Sequence, residues 1–177
     1  MITWKNHFLY QFDYQHWAND QLFDSLDKLS DEARKRDEGM AYKSIHGTLN
    51  YLLATGLVWS GRLRNEPADY RHDQTLFEDW RELKLAHKQT MRQLQHWLQN
   101  QPPEYFTNEV TYKGGTGKPQ TNWAHDILTH FSNHFAYYRG QVSAVATRLG
   151  APAPEMDYLL YRRDMQDTLA NARQAGG

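Results

Sequence analysis

The sequence predicts an all-α protein, an antiparallel four-helix bundle with a hairpin or long loop between its third and fourth helices. Three observations carry that expectation. Apolar residues recur at helical spacing in four long segments, helix-stopping residues separate them, and 40% of the 177 residues are hydrophobic, enough to fill a shared core. The length suits a single domain, read as residues 1–165, with the small, polar stretch 166–177 expected to be a flexible tail.

The first helix is marked by Phe8, Phe12, Asn19, Leu22, Leu26 and Leu29, at steps of three, four and seven along one face. In the second, Ile45, Leu49, Leu52, Leu53 and Leu57 form a stripe that runs on towards Trp59 and Leu63. The third carries Leu76, Trp80, Leu83, His87, Thr90, Leu94 and Trp97. Its start, Thr75-Leu76-Phe77-Glu78, reads as a capping box, in which Thr and Glu side chains satisfy free backbone donors. The fourth is expected from about Asn122 to Leu149, ending at Gly150-Ala151-Pro152. Gly suits a left-handed cap there, and Pro cannot continue the helix. Between the last two lies Val110-Thr111-Tyr112-Lys113-Gly114-Gly115-Thr116-Gly117-Lys118-Pro119, where alternating β-formers and glycines suggest a hairpin or flexible loop. It lacks the spacing of a phosphate-binding P-loop. Gly140 sits inside the fourth helix, where Gly costs about 1 kcal/mol relative to Ala, so it is expected to let another backbone approach closely.

Composition narrows the function. Twenty Lys and Arg stand against 21 Asp and Glu, a net charge of −1, so the chain has no basic footprint and no nucleic-acid partner is expected. With no cysteine it has no disulfide, no cysteine-ligated zinc, no iron–sulfur cluster and no cysteine nucleophile. No apolar run approaches the ~18 residues a membrane span needs. The opening Met1-Ile2-Thr3-Trp4-Lys5-Asn6-His7 shows no charged start followed by an apolar core. A cytoplasmic protein with no membrane partner is the expectation.

Of the nine histidines, His7, His16, His72, His96 and His125 have no partner at ligand spacing and read as surface or packing residues. His130 and His134 are four apart, so they share a helix face, and Ile127, Tyr138 and Gln141 turn that face inward. His46 lies between Ile45 and Leu49 in the inward stripe of the second helix. Three imidazoles from two helices are therefore expected to converge. A histidine pair at i, i+4 completed from elsewhere commonly holds a divalent metal. Neutral imidazole suits zinc, nickel, copper or iron. A water or thiol bound to such a metal becomes a nucleophile, because the metal lowers its pKa. The competing reading makes these histidines core-edge residues that hydrogen-bond to their neighbours. His87, in the stripe of the third helix, reads as a satisfied packing histidine.

Several segments carry a resemblance. They are Trp17-Ala18-Asn19, Ser44-Ile45-His46-Gly47-Thr48-Leu49-Asn50-Tyr51-Leu52-Leu53 and Asn133-His134-Phe135-Ala136-Tyr137-Tyr138-Arg139-Gly140-Gln141-Val142. Leu149-Gly150-Ala151-Pro152 and Asp157-Tyr158-Leu159-Leu160-Tyr161 follow in order. Together, over roughly residues 10–165, they resemble the DinB-like family. The resemblance implies a DinB/YfiT-like four-helix bundle, often a homodimer, with a divalent metal, zinc or nickel, held by three histidines. Relatives include metal-dependent thiol transferases, so it also implies a small-molecule substrate such as a low-molecular-weight thiol. Carried across, the helix-two histidine falls on His46 and the first helix-four histidine on His134. The third position, just before Arg139-Gly140-Gln141, holds Tyr138. Many members have His where this chain has Tyr51, and often an acidic residue where it has Gly56. The third ligand would then be Tyr138 as a phenolate, or His130 instead, with Gln141, Tyr51 and Asn50 as companions or substrate contacts. Two functions stay open. One is a metal-dependent thiol transferase or hydrolase. The other is a metal-free, non-catalytic member with an aromatic-lined pocket for a small molecule, or a dimeric scaffold.

Overall fold

The structure, a computed structural model, describes residues 3–66, 68, 70–71 and 74–175. His72 lies outside the described residues, as do Gly176 and Gly177 at the end of the expected tail. Along the chain come α1 (Trp4–Leu26), α2 (Asp31–Lys35), α3 (Ile45–Arg64), α4 (Trp80–Gln99), a 3₁₀ turn (Pro103–Thr107), β1 (Glu109–Lys113), β2 (Pro119–Trp123), α5 (Ala124–Arg148) and α6 (Tyr158–Ala175). The chain is mostly helical, with one small antiparallel hairpin, in keeping with the all-α class.

Side-chain caps set the starts of α1, α2, α3 and α4. Thr3 accepts from the Asn6 amide ahead of α1, and Ser44 from the Gly47 amide ahead of α3. Each satisfies a donor that the first turn leaves without a partner. The capping box expected at Thr75–Glu78 does not form. Asp79 caps α4 instead, accepting from the amides of Arg81 and Glu82, and the helix begins at Trp80. The reason is Asn50: its Oδ1 accepts from the amides of Leu76 (2.8 Å) and Phe77 (3.0 Å), which pins that stretch against α3 outside any helix. The fourth long helix likewise starts later than Asn122, because Asn122 pairs with Val110, and Trp123 with Glu109, in the hairpin. Gly150 takes the left-handed conformation, at φ +85°, just past the end of α5.

The four long helices pack as a closed ring. α1 touches α4 and α5, and α3 touches the same two. The apolar stripes meet at its centre, where Phe12, Leu26, Leu53, Leu83, Leu94 and Phe131 are fully buried. Removing each such side chain from water contributes about 1.5–3 kcal/mol. α6, unmarked by any clear stripe in the sequence, docks on α1 through rings: Tyr14 meets Tyr158, and Trp17 meets Tyr161.

Gly140 does not serve the close approach expected of it. A Cβ built there would meet nothing within 4 Å. The tight positions are elsewhere: a Cβ on Gly47 would lie 2.2 Å from the carbonyl oxygen of Tyr42. Gly140→Ala should therefore raise stability by about 1 kcal/mol, the helix-propensity difference, while Gly47→Ala should lower it. Urea unfolding midpoints of both variants check this, and a Gly140→Ala protein that unfolds earlier than the parent would contradict the open setting of that glycine.

Candidate functional site

Because α3 packs on both α4 and α5, its polar residues divide between two sides. His46 and Asn50 face the segment that leads into α4. His46 is 4% exposed, and its Nε2 donates to the carbonyl of Phe77 at 2.9 Å. The Asn50 Nδ2 donates to the carbonyls of His46 and Phe77, both at 3.1 Å. The His46 ring lies 6.5 Å from that of Trp80. Burial holds its pKa below the ordinary value and the ring neutral. His46 and Asn50 thus form a joint that fixes the chain between α3 and α4.

Tyr51 is five residues beyond His46, roughly 140° further round the helix, and faces α5. Its hydroxyl lies 3.2 Å from His134 Nε2, a hydrogen bond whose donor depends on the histidine tautomer. The Tyr138 ring stands edge-on to Tyr51 at 5.0 Å and 4.8 Å from His134. Tyr42 completes the group, stacked on Tyr51 at 3.8 Å. The glycine at 47 allows that placement, since the Tyr42 carbonyl closes onto the first turn of α3 where a side chain would otherwise stand. Lys43, in the left-handed region at φ 65°, turns the chain there. Outward along α5, His130 lies 5.4 Å from His134 and 5.0 Å from Trp59.

Burial, followed by hydrogen bonding with Tyr51, pushes the Tyr42 hydroxyl well above the usual tyrosine range. Burial first and then Tyr51 push Tyr138 the same way. The pKa of His130 is lowered by partial burial and by the charge of Arg62.

Of the residues singled out in the sequence, the structure gathers Tyr51, His134 and Tyr138, with His130 adjacent. His46 and Asn50 stand on the other side of α3 and do not join them. Gln141 is half-buried and makes no hydrogen bond among the described residues. No spacing pattern places Tyr42 in this group, because nothing in one shows a loop residue folding back over a helix start. The gathered donors are the His134 imidazole, already bonded through Nε2 to Tyr51, the adjacent His130 imidazole and tyrosines, a weak set for zinc or nickel; for Tyr138 and the adjoining Tyr42, burial opposes the phenolate form a metal would need. Among the described residues no three His, Asp or Glu stand together as a metal-binding group.

His87 behaves as a packing residue. It is fully buried on α4, its Nε2 donates to the Leu49 carbonyl at 2.8 Å, and burial pushes its pKa down to about 4.

These features define a helical protein with a tyrosine- and histidine-lined face between two of its long helices. The model of the DinB family matches residues 3–170, and the chain belongs to that family. It is also 26% identical over 167 residues to Protein DinB of Bacillus subtilis (strain 168), an alignment covering 85% of this chain and 90% of that protein.

Two outcomes follow from the joint and the core histidine. Asn50→Ala deprives the amides of Leu76 and Phe77 of their acceptor and should cost about 2 kcal/mol or more in denaturant unfolding. His87 has a folded pKa of about 4, below its ordinary 6.5, so its contribution is present above pH 6.5 and is lost as the pH falls towards 4. The shift corresponds to about 3 kcal/mol. Urea midpoints from pH 7 to pH 4 should fall steeply in the parent and less steeply in His87→Gln, and equal slopes would refute the assignment.

Proposed function

We propose that this DinB-family chain works without a resident metal, as a small-molecule-binding protein whose ligand is recognised by the tyrosine–histidine cluster between α3 and α5. The observation that carries this reading is the Tyr51–His134 contact of 3.2 Å, with Tyr42 and Tyr138 packed around it. Positions 51, 134 and 138 are ones where the family resemblance leads to histidine in many members, and here two of the three are tyrosine. A phenol both donates and accepts a hydrogen bond, whereas a metal site needs lone-pair donors. Aromatic rings with polar tips favour a ring-bearing ligand with hydrogen-bonding groups of its own.

The closed ring of four long helices supports an antiparallel four-helix bundle, in which such a site lies between facing helices. Tyr137, 65% exposed beside the cluster, supports a homodimer with this face at or near the contact. The near-neutral charge supports a cytoplasmic protein that binds neither nucleic acid nor membrane.

A second reading keeps the metal-dependent thiol transferase or hydrolase, and it draws support from that same convergence of 51, 134 and 138. Elemental analysis separates the two. Protein purified without metal-affinity resin, and then soaked with zinc or nickel, should retain no stoichiometric metal. About one equivalent that disappears in His134→Ala would overturn the proposal and restore the metal-dependent enzyme.

A further inference from the structure

We infer that the cleft between the end of α3 and the β1–β2 hairpin is a second binding site, which takes the carboxylate or phosphate group of a small organic anion on Arg62. The cleft has a volume of about 730 Å³, and its lining includes Arg62, Asn65, Tyr70, Tyr112, Lys113 and the turn Gly114–Gly117. That volume suits a drug-sized molecule rather than a bare ion.

Arg62 is held in an unusual way. Its guanidinium carbon lies 4.4 Å from the ring centre of Trp59 and 4.8 Å from that of Tyr112. Two aromatic contacts fix the plane of the side chain, so little motional freedom remains to be lost on binding. Among the described residues it makes no hydrogen bond and no ion pair. Arg64, two residues on, donates to the carbonyl of Ser60 and faces Glu66, and the buried Arg139 donates to Gln15 and Asn19. Arg62 therefore lines the cleft with planar donors that have no acceptor among the described residues. A carboxylate or a phosphate matches that fork in a bidentate way.

The surroundings favour an anion further. Lys113, at the end of β1, adds a second cation to the lining. Among the described residues no carboxylate is paired with Arg62, whose pKa is lowered first by burial and raised in part by Tyr112. The hairpin turn is closed by Gly114 donating to Lys118 and by Gly117, at φ +80°, donating to Gly114. A Cβ on Gly115 would meet nothing within 4 Å, so the turn leaves its rim of the cleft open. The tyrosines at 70 and 112 offer flat surfaces for the rest of the ligand. The proposal does not depend on how the tyrosine–histidine cluster functions.

The test is a titration of the ¹⁵N-labelled full chain with inorganic phosphate and, separately, with sodium acetate, at constant ionic strength set by chloride. Saturable shifts are expected at Arg62 Nε–H and at the amides of Lys113 to Gly117. The tighter of the two probes identifies the anion as phosphate or carboxylate. Arg62→Gln should weaken binding by about tenfold or more, and Arg62→Lys, which keeps the charge but not the fork, by several-fold. If Arg62→Gln fails to fold, the Arg62→Lys and Lys113→Gln affinities decide instead, both expected to be weaker than the parent. Absence of saturable shifts with either probe, or parent-like affinity in the folded Arg62 variants, would overturn the site.

Discussion

Asn50 is the residue on which the arrangement turns. It is 1% exposed, and its one side chain meets two amides and two carbonyls across the start of α3 and the approach to α4. Backbone donors withdrawn from water must find acceptors, and the segment ahead of α4 has no helix or sheet to supply them. By accepting from Leu76 and Phe77, Asn50 decides where α4 begins. It also draws the Phe77 carbonyl to where His46 can donate to it. The side of α3 that faces α4 is thereby committed to holding the chain together.

The same economy of charge recurs through the interior. Arg139, 3% exposed, has no carboxylate partner among the described residues; the oxygens of Gln15, Asn19 and Tyr14 receive it. Tyr14 in turn donates to the Met156 carbonyl, which ties α5 and α1 to the segment ahead of α6. His87 is kept neutral by burial, as are Tyr42 and Tyr138 at the cluster. An isolated charge at low dielectric is expensive, whereas a neutral group with a hydrogen-bond partner is not. The Arg139 guanidinium is the exception, because its pKa is too high for burial to remove the proton.

Much of the helical architecture was legible because an apolar stripe at helical spacing is a direct consequence of burial on one side. The stripes of α1, α3 and α4 coincide largely with buried residues, and a hairpin stands where alternation and glycines left a hairpin or a flexible loop open. The start of α4 was not legible. A capping box is local, and Asn50 reaches it from 26 residues away in sequence. α6 was missed because its residues carry mixed polarity, its docking resting on a few rings against α1. At the site, the shared face of His130, His134 and Tyr138 could be read from their spacing. The place of His46 could not, since an inward-facing stripe on a helix with two neighbours does not say which neighbour a given residue meets.

The cluster and the Arg62 cleft are joined by a chain of ring contacts. It runs from Tyr42 through Tyr51 to His134, then His130, Trp59 and Arg62. One end is neutral and the other cationic, and His130 stands at the boundary. The Arg62 charge, together with burial, holds the His130 pKa below its ordinary value. A second positive charge on His130 would repel Arg62 across Trp59, which adds to the larger effect of burial in favouring the uncharged ring. An anion seated on Arg62 would cancel that repulsion and raise the His130 pKa. The two sites are thus joined through ring contacts, with His130 the group on that row that feels both burial and the arginine charge.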